Sequence, residues 1–214
     1  MKPVVLLGYG GHGRVVADLL RVCGRDILGY TGPERVQIPK GAEALEWLGP
    51  DDQLIRMFAV SEIELANGLG SIGDTTLRRT VFEQLAASGG VFPNLQHPSA
   101  CVSPRATVER GAQIMAGAVV QTGAFIGPNV IINTRASIDH DCKIAAHVHV
   151  APGCVLSGDV DIAEGAHLGT GCIVAQGVRI GAGAVVGAGA TVLADVASGA
   201  FVAGTPAIPR PRGR

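Results

Sequence analysis

From Val102 to Val192 every sixth residue is aliphatic, sixteen times in succession without a gap. The fourth residue after each is small or β-branched, from Ala106 and Ala112 through Cys142, Val148 and Cys154 to Ala190 and Val196. A period of six held at two offsets requires a solenoid, whatever the local propensities. In a left-handed parallel β-helix three hexapeptides close one triangular coil, so residues 18 apart stack. The aliphatic and small positions then point inward. The others face out or turn corners, which is where Gly, Asn and Asp fall. Sixteen hexapeptides predict about five coils, and the unbroken register predicts no inserted lid between 102 and 196. The left-handed crossover breaks the usual right-handed rule, an exception that belongs to this architecture.

Composition suits thin repeated layers. Hydrophobic residues make up 47% of the 214-residue chain and aromatic residues only 4%, so the core is Val, Ile, Leu and Ala. A formal charge of −1 gives no field that favours nucleic acid or a membrane surface. No apolar run is long enough to span a bilayer. Met1-Lys2-Pro3 leads straight into a strand-like run, and the five cysteines form no CxxC pair. Both features predict a cytoplasmic protein with reduced thiols.

The first 95 residues read differently, as a small three-layer α/β domain, with the β-helix domain and its tail taking 96–214. Residues 3–7 are a buried strand. Gly8-Tyr9-Gly10-Gly11-His12-Gly13 follows, then a helix from Arg14 to Cys23 with Val15, Val16, Leu19 and Leu20 at helical spacing. Glycines at a helix N-terminus let an anion approach backbone amides. The dinucleotide fingerprint also needs an acid about 20 residues on, and here the second strand ends in Tyr30-Thr31. The missing acid and the half-length fold favour a phosphate of another kind over a nicotinamide cofactor. A plain tight turn is the third reading. Further on, a short helix is expected around Ala42–Leu48, with Trp47 as a packing residue, and strands at Leu54–Phe58, Ile63–Ala66 and Val91–Phe92. A second glycine turn, Asn67 to Ser71, precedes a helix from Thr75 to Ala87. Asp74 caps it, Leu77, Val81 and Leu85 form its buried face, and Gly89-Gly90 end it. Gln96 to Ser99 reads as the linker and Phe201 as the cap of the far end of the coil stack. Pro209–Arg214 reads as a solvated basic tail.

With the register fixed, Cys142, Cys154 and Cys172 point inward, the last two one coil apart. They read as buried thiols, not nucleophiles. His140, His147, His149 and His167 all fall at outward positions, with His149 stacked under His167. His140 stands apart because it lies in Asp139-His140-Asp141. A carboxylate on one ring nitrogen fixes the tautomer and raises the basicity of the other, as a general base needs. Zinc-binding β-helices use two histidines five apart plus a third. The gaps here are 7, 2 and 18, so no metal is expected.

These residues carry a resemblance. The β-helix resembles the hexapeptide acyltransferases. The whole chain resembles their nucleotide-sugar and sialic-acid branch, which includes the bacillosamine, perosamine and related 4-amino-sugar N-acetyltransferases. The motifs are the opening glycine loop, His97-Pro98-Ser99-Ala100, Ile132-Asn133-Thr134, Asp139-His140-Asp141-Cys142, and the exit from Phe201 to Ala207. The resemblance implies His140 as the base and Asp141 as the group that raises its basicity. It implies His149, Gly158, Thr170 and Ala188 as contacts for acetyl-coenzyme A. Gly10, Gly11, His12, Gly70, Ser71 and Asn133 would serve the nucleotide-sugar side, with Tyr30 and Thr31 where relatives carry an acidic pair; Tyr30 could stack on a base. It implies a homotrimer with the active site between neighbouring β-helices. The expected reaction is acetyl transfer from acetyl-coenzyme A to the amine of a nucleotide-linked sugar. O-acetylation of a sugar hydroxyl is the near alternative, and a nicotinamide-dependent oxidoreductase the distant one.

Overall fold

The computed structural model describes residues 1–38, 40, 44–54, 58 and 62–211. It divides into two compact units, Met1–Gly70 with Thr80–Pro93, and Ser71–Arg79 with Asn94–Arg214.

In the first unit β1 (Val4–Leu7) lies between β2 (Ile27–Thr31) and β3 (Glu64–Asn67), all parallel. Four consecutive apolar residues make β1 the fully buried centre strand. Helix α1 (Gly11–Val22) buries Val16, Ala17, Leu19 and Leu20, whereas Val15 is exposed. Helix α2 (Thr76–Ala87), whose first four residues fall in the second unit, starts where the Asp74 carboxylate accepts the Thr76 amide at 2.8 Å. It ends where the Gly89 and Gly90 amides bond back to Ala86 and Leu85. Its buried side is Val81, Phe82 and Leu85, packed with Val5, Leu7, Leu65 and Phe92. The spacing-of-four reading included Leu77, which is exposed.

Three local expectations change. Residues 44–48 are not helical: Trp47 pairs as an isolated bridge with Tyr30 and donates its indole N–H to the Gly32 carbonyl at 3.1 Å. Residues 42–43 of that stretch lie outside the described residues. Asp51–Gln53 is a 3₁₀ turn leading into Leu54. The strand expected at Leu54–Phe58 falls largely on 55–57, also outside them. Val91–Phe92 forms no strand. The Val91 carbonyl accepts the Leu65 amide, and Phe92 packs its ring 4.5 Å from Phe82.

The second unit is the left-handed β-helix, of about six turns. Its two-residue strands stack into three parallel sheets. The first runs from Leu95–Gln96 through His149–Val150 and His167–Leu168 to Phe201–Ala203, where Ile208–Pro209 adds an antiparallel edge strand, so the tail expected from Pro209 starts one residue later. The second runs from Cys101–Val102 through Ser137–Ile138 to Thr191–Val192, and the third from Thr107–Val108 to Arg179–Ile180. The aliphatic and small hexad positions form one continuous core, with Ile126, Ile138, Ile144, Cys154 and Leu168 at about 0–1% exposure. From Gly111 to Gly189 every sixth residue turns a corner at φ between 55° and 73°. Most are glycine; Asn129, Asp141 and Asp159 are of the side-chain types that tolerate this region.

The helix starts a strand earlier than the hexad suggests. Leu95–Gln96 pairs with Gln113–Ile114, so the expected linker belongs to the first coil. A polar Gln96 at an aliphatic register position hid it. The last coil is two residues short: Ile180 meets Val196 and Val186 meets Val202, so 16 residues separate partners where 18 do elsewhere. Val202, not Phe201, is the inward residue there. Phe201 instead extends the outer face beside Val185.

Candidate active site

The corners after the second sheet stack Thr122, His140, Gly158 and their neighbours one coil apart. The Asp141 amide bonds the Thr122 carbonyl, and the Asp159 amide bonds the His140 carbonyl at 2.9 Å. The left-handed backbone at Asp141 (φ 60°) turns its carboxylate back onto the preceding side chain. Asp141 Oδ2 accepts from His140 Nδ1 at 2.8 Å. Asp139 Oδ1 accepts the His140 backbone N–H at 2.7 Å, which fixes the corner itself. With Nδ1 holding the proton, Nε2 carries a lone pair on a ring that is 47% exposed.

Glycines on the two adjacent coils make room for this pair. A Cβ on Gly123 would stand 2.3 Å from Asp141 Oδ1, and one on Gly158 would stand 2.4 Å from His140 Nε2. The hydrogen bond to Asp141 raises the imidazole pKa, desolvation opposes it, and the charges of Asp139, Asp141 and Asp159 add to the rise. Beneath the corner, burial pushes the Cys142 thiol up, and its Sγ lies 3.2 Å from the Ser157 carbonyl, so it is no nucleophile. Asp159 and Gly123 were not singled out in the sequence. Adding or subtracting 18 from Asp141 finds both.

The other three histidines are not outward in the expected sense. His147, His149 and His167 are buried. His147 sits at a corner against Asn129, 2.9 Å away. His149 is covered by residues 71–79, which belong to the same unit. Its Nδ1 lies 2.8 Å from Ser71 Oγ and 3.1 Å from the Ser71 carbonyl. The Asn133 Oδ1 accepts the Thr134 amide, so its amide nitrogen faces His149 Nε2 at 3.1 Å. That network leaves the His149 proton on Nδ1. His167 stands edge-on to His149, ring centres 5.0 Å apart, and burial lowers its pKa. The same segment is anchored by the buried Arg78 on the Asn129 carbonyl and by the Arg79–Glu164 ion pair. Thr170 and Ala188 are exposed at the corners between the first and second sheets. One chain thus brings His140, Asp141 and Gly158 together, and Ser71, Asn133 and His149 together, but at different places around the coil.

In the first unit the glycines divide by role. Cβ atoms at Gly13 and Gly68 would strike the Gly8 carbonyl at 2.4 Å and 2.2 Å, so these two serve backbone packing. Gly10 and Gly11 have nothing within 4 Å of an added Cβ, so their side of the loop is open. Gly70 closes on His12, where a Cβ would sit 3.0 Å from His12 Cβ. Tyr30 is buried, its ring 5.0 Å from Tyr9 and its hydroxyl accepting the Val36 amide at 2.8 Å. A ring so enclosed has no face for a nucleobase, which corrects the stacking role expected of it. Thr31 is also buried and donates its hydroxyl to Asp51 Oδ1.

Among the described residues no group of three or more His, Cys, Asp or Glu is placed to hold a metal ion, and no helix is long and apolar enough to cross a membrane. A left-handed β-helix with one carboxylate-bound histidine at a coil corner is the architecture of the hexapeptide acyltransferases. Residues 3–85 match the PglD N-terminal domain family, and 123–158 match the bacterial transferase hexapeptide (six repeats) family. The acetyltransferase domain of PglB from Neisseria gonorrhoeae, solved with acetyl coenzyme A, is 36% identical over 98% of this chain and 99% of that one, TM-score 0.88. A histidine mutant of perosamine N-acetyltransferase from Caulobacter crescentus, solved with CoA and GDP-perosamine, is 33% identical over 99% of this chain and 98% of that one, TM-score 0.88. UDP-N-acetylbacillosamine N-acetyltransferase of Bacillus subtilis is 36% identical over 117 residues, which span 54% of this chain and 52% of that protein. The chain belongs to this family of bacillosamine- and perosamine-type N-acetyltransferases.

Proposed function

We propose that this protein transfers the acetyl group of acetyl-coenzyme A to the amine of a nucleotide-linked amino sugar. The observation that carries the reading is the His140–Asp141 pair: Nδ1 is committed to the carboxylate at 2.8 Å and Nε2 remains on an exposed ring. The neutral amine attacks the thioester carbonyl carbon. His140 Nε2 takes the proton that the nitrogen sheds, and three nearby carboxylates, Asp139, Asp141 and Asp159, favour the imidazolium. The carbonyl oxygen becomes an oxyanion. The Gly158 N–H, which has no hydrogen-bond partner among the described residues, is the donor we assign to it. The C–S bond then breaks, the amide forms, and the imidazolium proton goes to the departing thiolate.

Acetyl-coenzyme A is the cosubstrate in this reading, held by His149, Gly158, Thr170 and Ala188. Gly10, Gly11, His12 and Gly70 serve the nucleotide sugar. His149 and Gly158 lie at different places around the coil stack, so the groove needs a second wall. The exposed Val155 and Ile173 on the outer face of the second sheet support contact with another copy, and the assembly we assign is a homotrimer. All five cysteines are free thiols, which fits a cytoplasmic, reducing setting.

Initial rates with acetyl-coenzyme A and matched 4-amino and 4-hydroxy sugar nucleotides test the reading. Acetylation of the amino compound alone is expected. Turnover of the hydroxy compound alone would replace it with O-acetylation.

A further inference from the structure

The strand that should end in a nucleotide-holding acid ends in Tyr30-Thr31. The fold returns an acid to that place from elsewhere in the same unit. After β2 the chain makes an excursion of about twenty residues and comes back beside the strand. There the Gly32 amide bonds the Gly49 carbonyl at 3.0 Å, the Leu48 amide bonds the Tyr30 carbonyl, and the Asp51–Gln53 turn begins. The Thr31 hydroxyl holds Asp51 Oδ1. The Thr31 carbonyl in turn accepts the Gly8 amide at 2.8 Å, so the residue that carries Asp51 is bonded to the first glycine of the loop.

We infer that Asp51 is the nucleoside-binding carboxylate of this protein, presented by Thr31 in place of an acid on the strand itself. The inference rests on the nucleotide-sugar reading and names the group that would hold the ribose. Oδ1 is occupied by Thr31; Oδ2 has no hydrogen-bond partner among the described residues and remains an acceptor. Asp51, with Asp52 beside it, borders a cleft of about 280 Å³ whose wall combines apolar Val81 and Leu85 with Gln84 and Ser88. A half-buried carboxylate fixed by one neighbour and open on the other side suits the paired hydroxyls of a ribose, the role that an acid at the end of the second strand plays in nucleotide-binding α/β folds. Thr31 accounts for its own burial in the same way: it is the clamp, not the contact.

Calorimetric binding of UDP, GDP and their 2′,3′-dideoxy forms tests this in the full-length protein. Asp51→Asn should weaken the better-bound ribonucleotide about tenfold or more, as loss of a charge-assisted hydrogen bond does. The dideoxy form should lose little further on the same substitution. Thr31→Val should weaken binding as well, and Thr31→Ser should restore it. Coenzyme A binding by each variant should match the unsubstituted protein, which separates a site effect from misfolding. Equal ribonucleotide affinity before and after Asp51→Asn overturns the inference and leaves the acetyltransfer reading standing. An equal loss for ribo and dideoxy forms also overturns the ribose assignment. Failure of the unsubstituted protein to bind either nucleotide would instead remove the nucleotide-sugar reading, and the inference with it.

Discussion

Gly158 stands so close to His140 that a single added methyl group would lie 2.4 Å from Nε2. Nothing in the local backbone asks for glycine there, since Gly158 is not among the left-handed corner residues. The constraint is the space in front of the base. Gly158→Ala should therefore fold with an unchanged circular dichroism spectrum and thermal midpoint. It should still lose at least tenfold in kcat, because the imidazole must swing away from Asp141 or lose its open nitrogen. Unaltered turnover in a folded Gly158→Ala protein would show that Nε2 faces elsewhere.

The Asp141 hydrogen bond raises the His140 pKa and the neighbouring carboxylates add to it. The base works as neutral imidazole, so kcat/KM should rise with pH through that raised pKa and level off above it. Asp141→Asn removes the bond and one charge. The ascending limb should move to lower pH, and the plateau should fall because the ring is less basic and no longer fixed in one tautomer. A pH–rate profile from pH 5 to 9 checks both shifts. A limb that stays in place would detach Asp141 from the base.

The core makes a separate prediction. Ile138 is fully buried two residues before His140, in line with Val120 and Leu156 on the coils either side. Ile138→Ala should cost about 2–5 kcal/mol of unfolding free energy, the usual range for such a truncation. Denaturant titration followed by circular dichroism gives the value. A cost near zero would place the residue outside the stack.

Thiol reactivity reads the register directly. Cys154 and Cys172 stack with their sulfurs 3.4 Å apart, and the neighbouring thiol together with burial pushes Cys172 up. Cys101 alone is exposed. In the native protein an aromatic disulfide reagent should titrate Cys101 quickly and Cys23 slowly, with the other three reacting only on unfolding. Rapid reaction of four or five thiols without denaturant would be incompatible with an inward Cys142, Cys154 and Cys172.

The repeat made the β-helix legible because inward positions recur at a fixed interval, and that arithmetic also set His140 and Asp141 at one corner. It misjudged both ends, where Gln96 carries the strand without an aliphatic side chain and the last coil drops two residues. It placed His149 and His167 on the outer face correctly by register but exposed them wrongly. The Ser71 contact over His149 comes from outside the repeat, and no period announces a segment that docks by Ser71, Thr75 and Arg78. In the first unit the glycine loop was legible through its spacing. Asp51 was not, because a contact made through the Thr31 hydroxyl to a residue twenty positions on leaves no local pattern. Tyr30 suggested an exposed aromatic only because its partners, Tyr9 and the Val36 amide, are set by the fold.

Whether His140 is the base that drives acetyl transfer is tested most directly by His140→Ala, assayed with acetyl-coenzyme A and a nucleotide-linked 4-amino sugar, with coenzyme A affinity measured on the same preparation. The expected result is a fall in kcat of about a hundredfold to ten-thousandfold, the usual worth of a general base, with coenzyme A bound as tightly as before. A kcat within threefold of the unsubstituted enzyme, in a protein that still binds coenzyme A, would overturn the assignment.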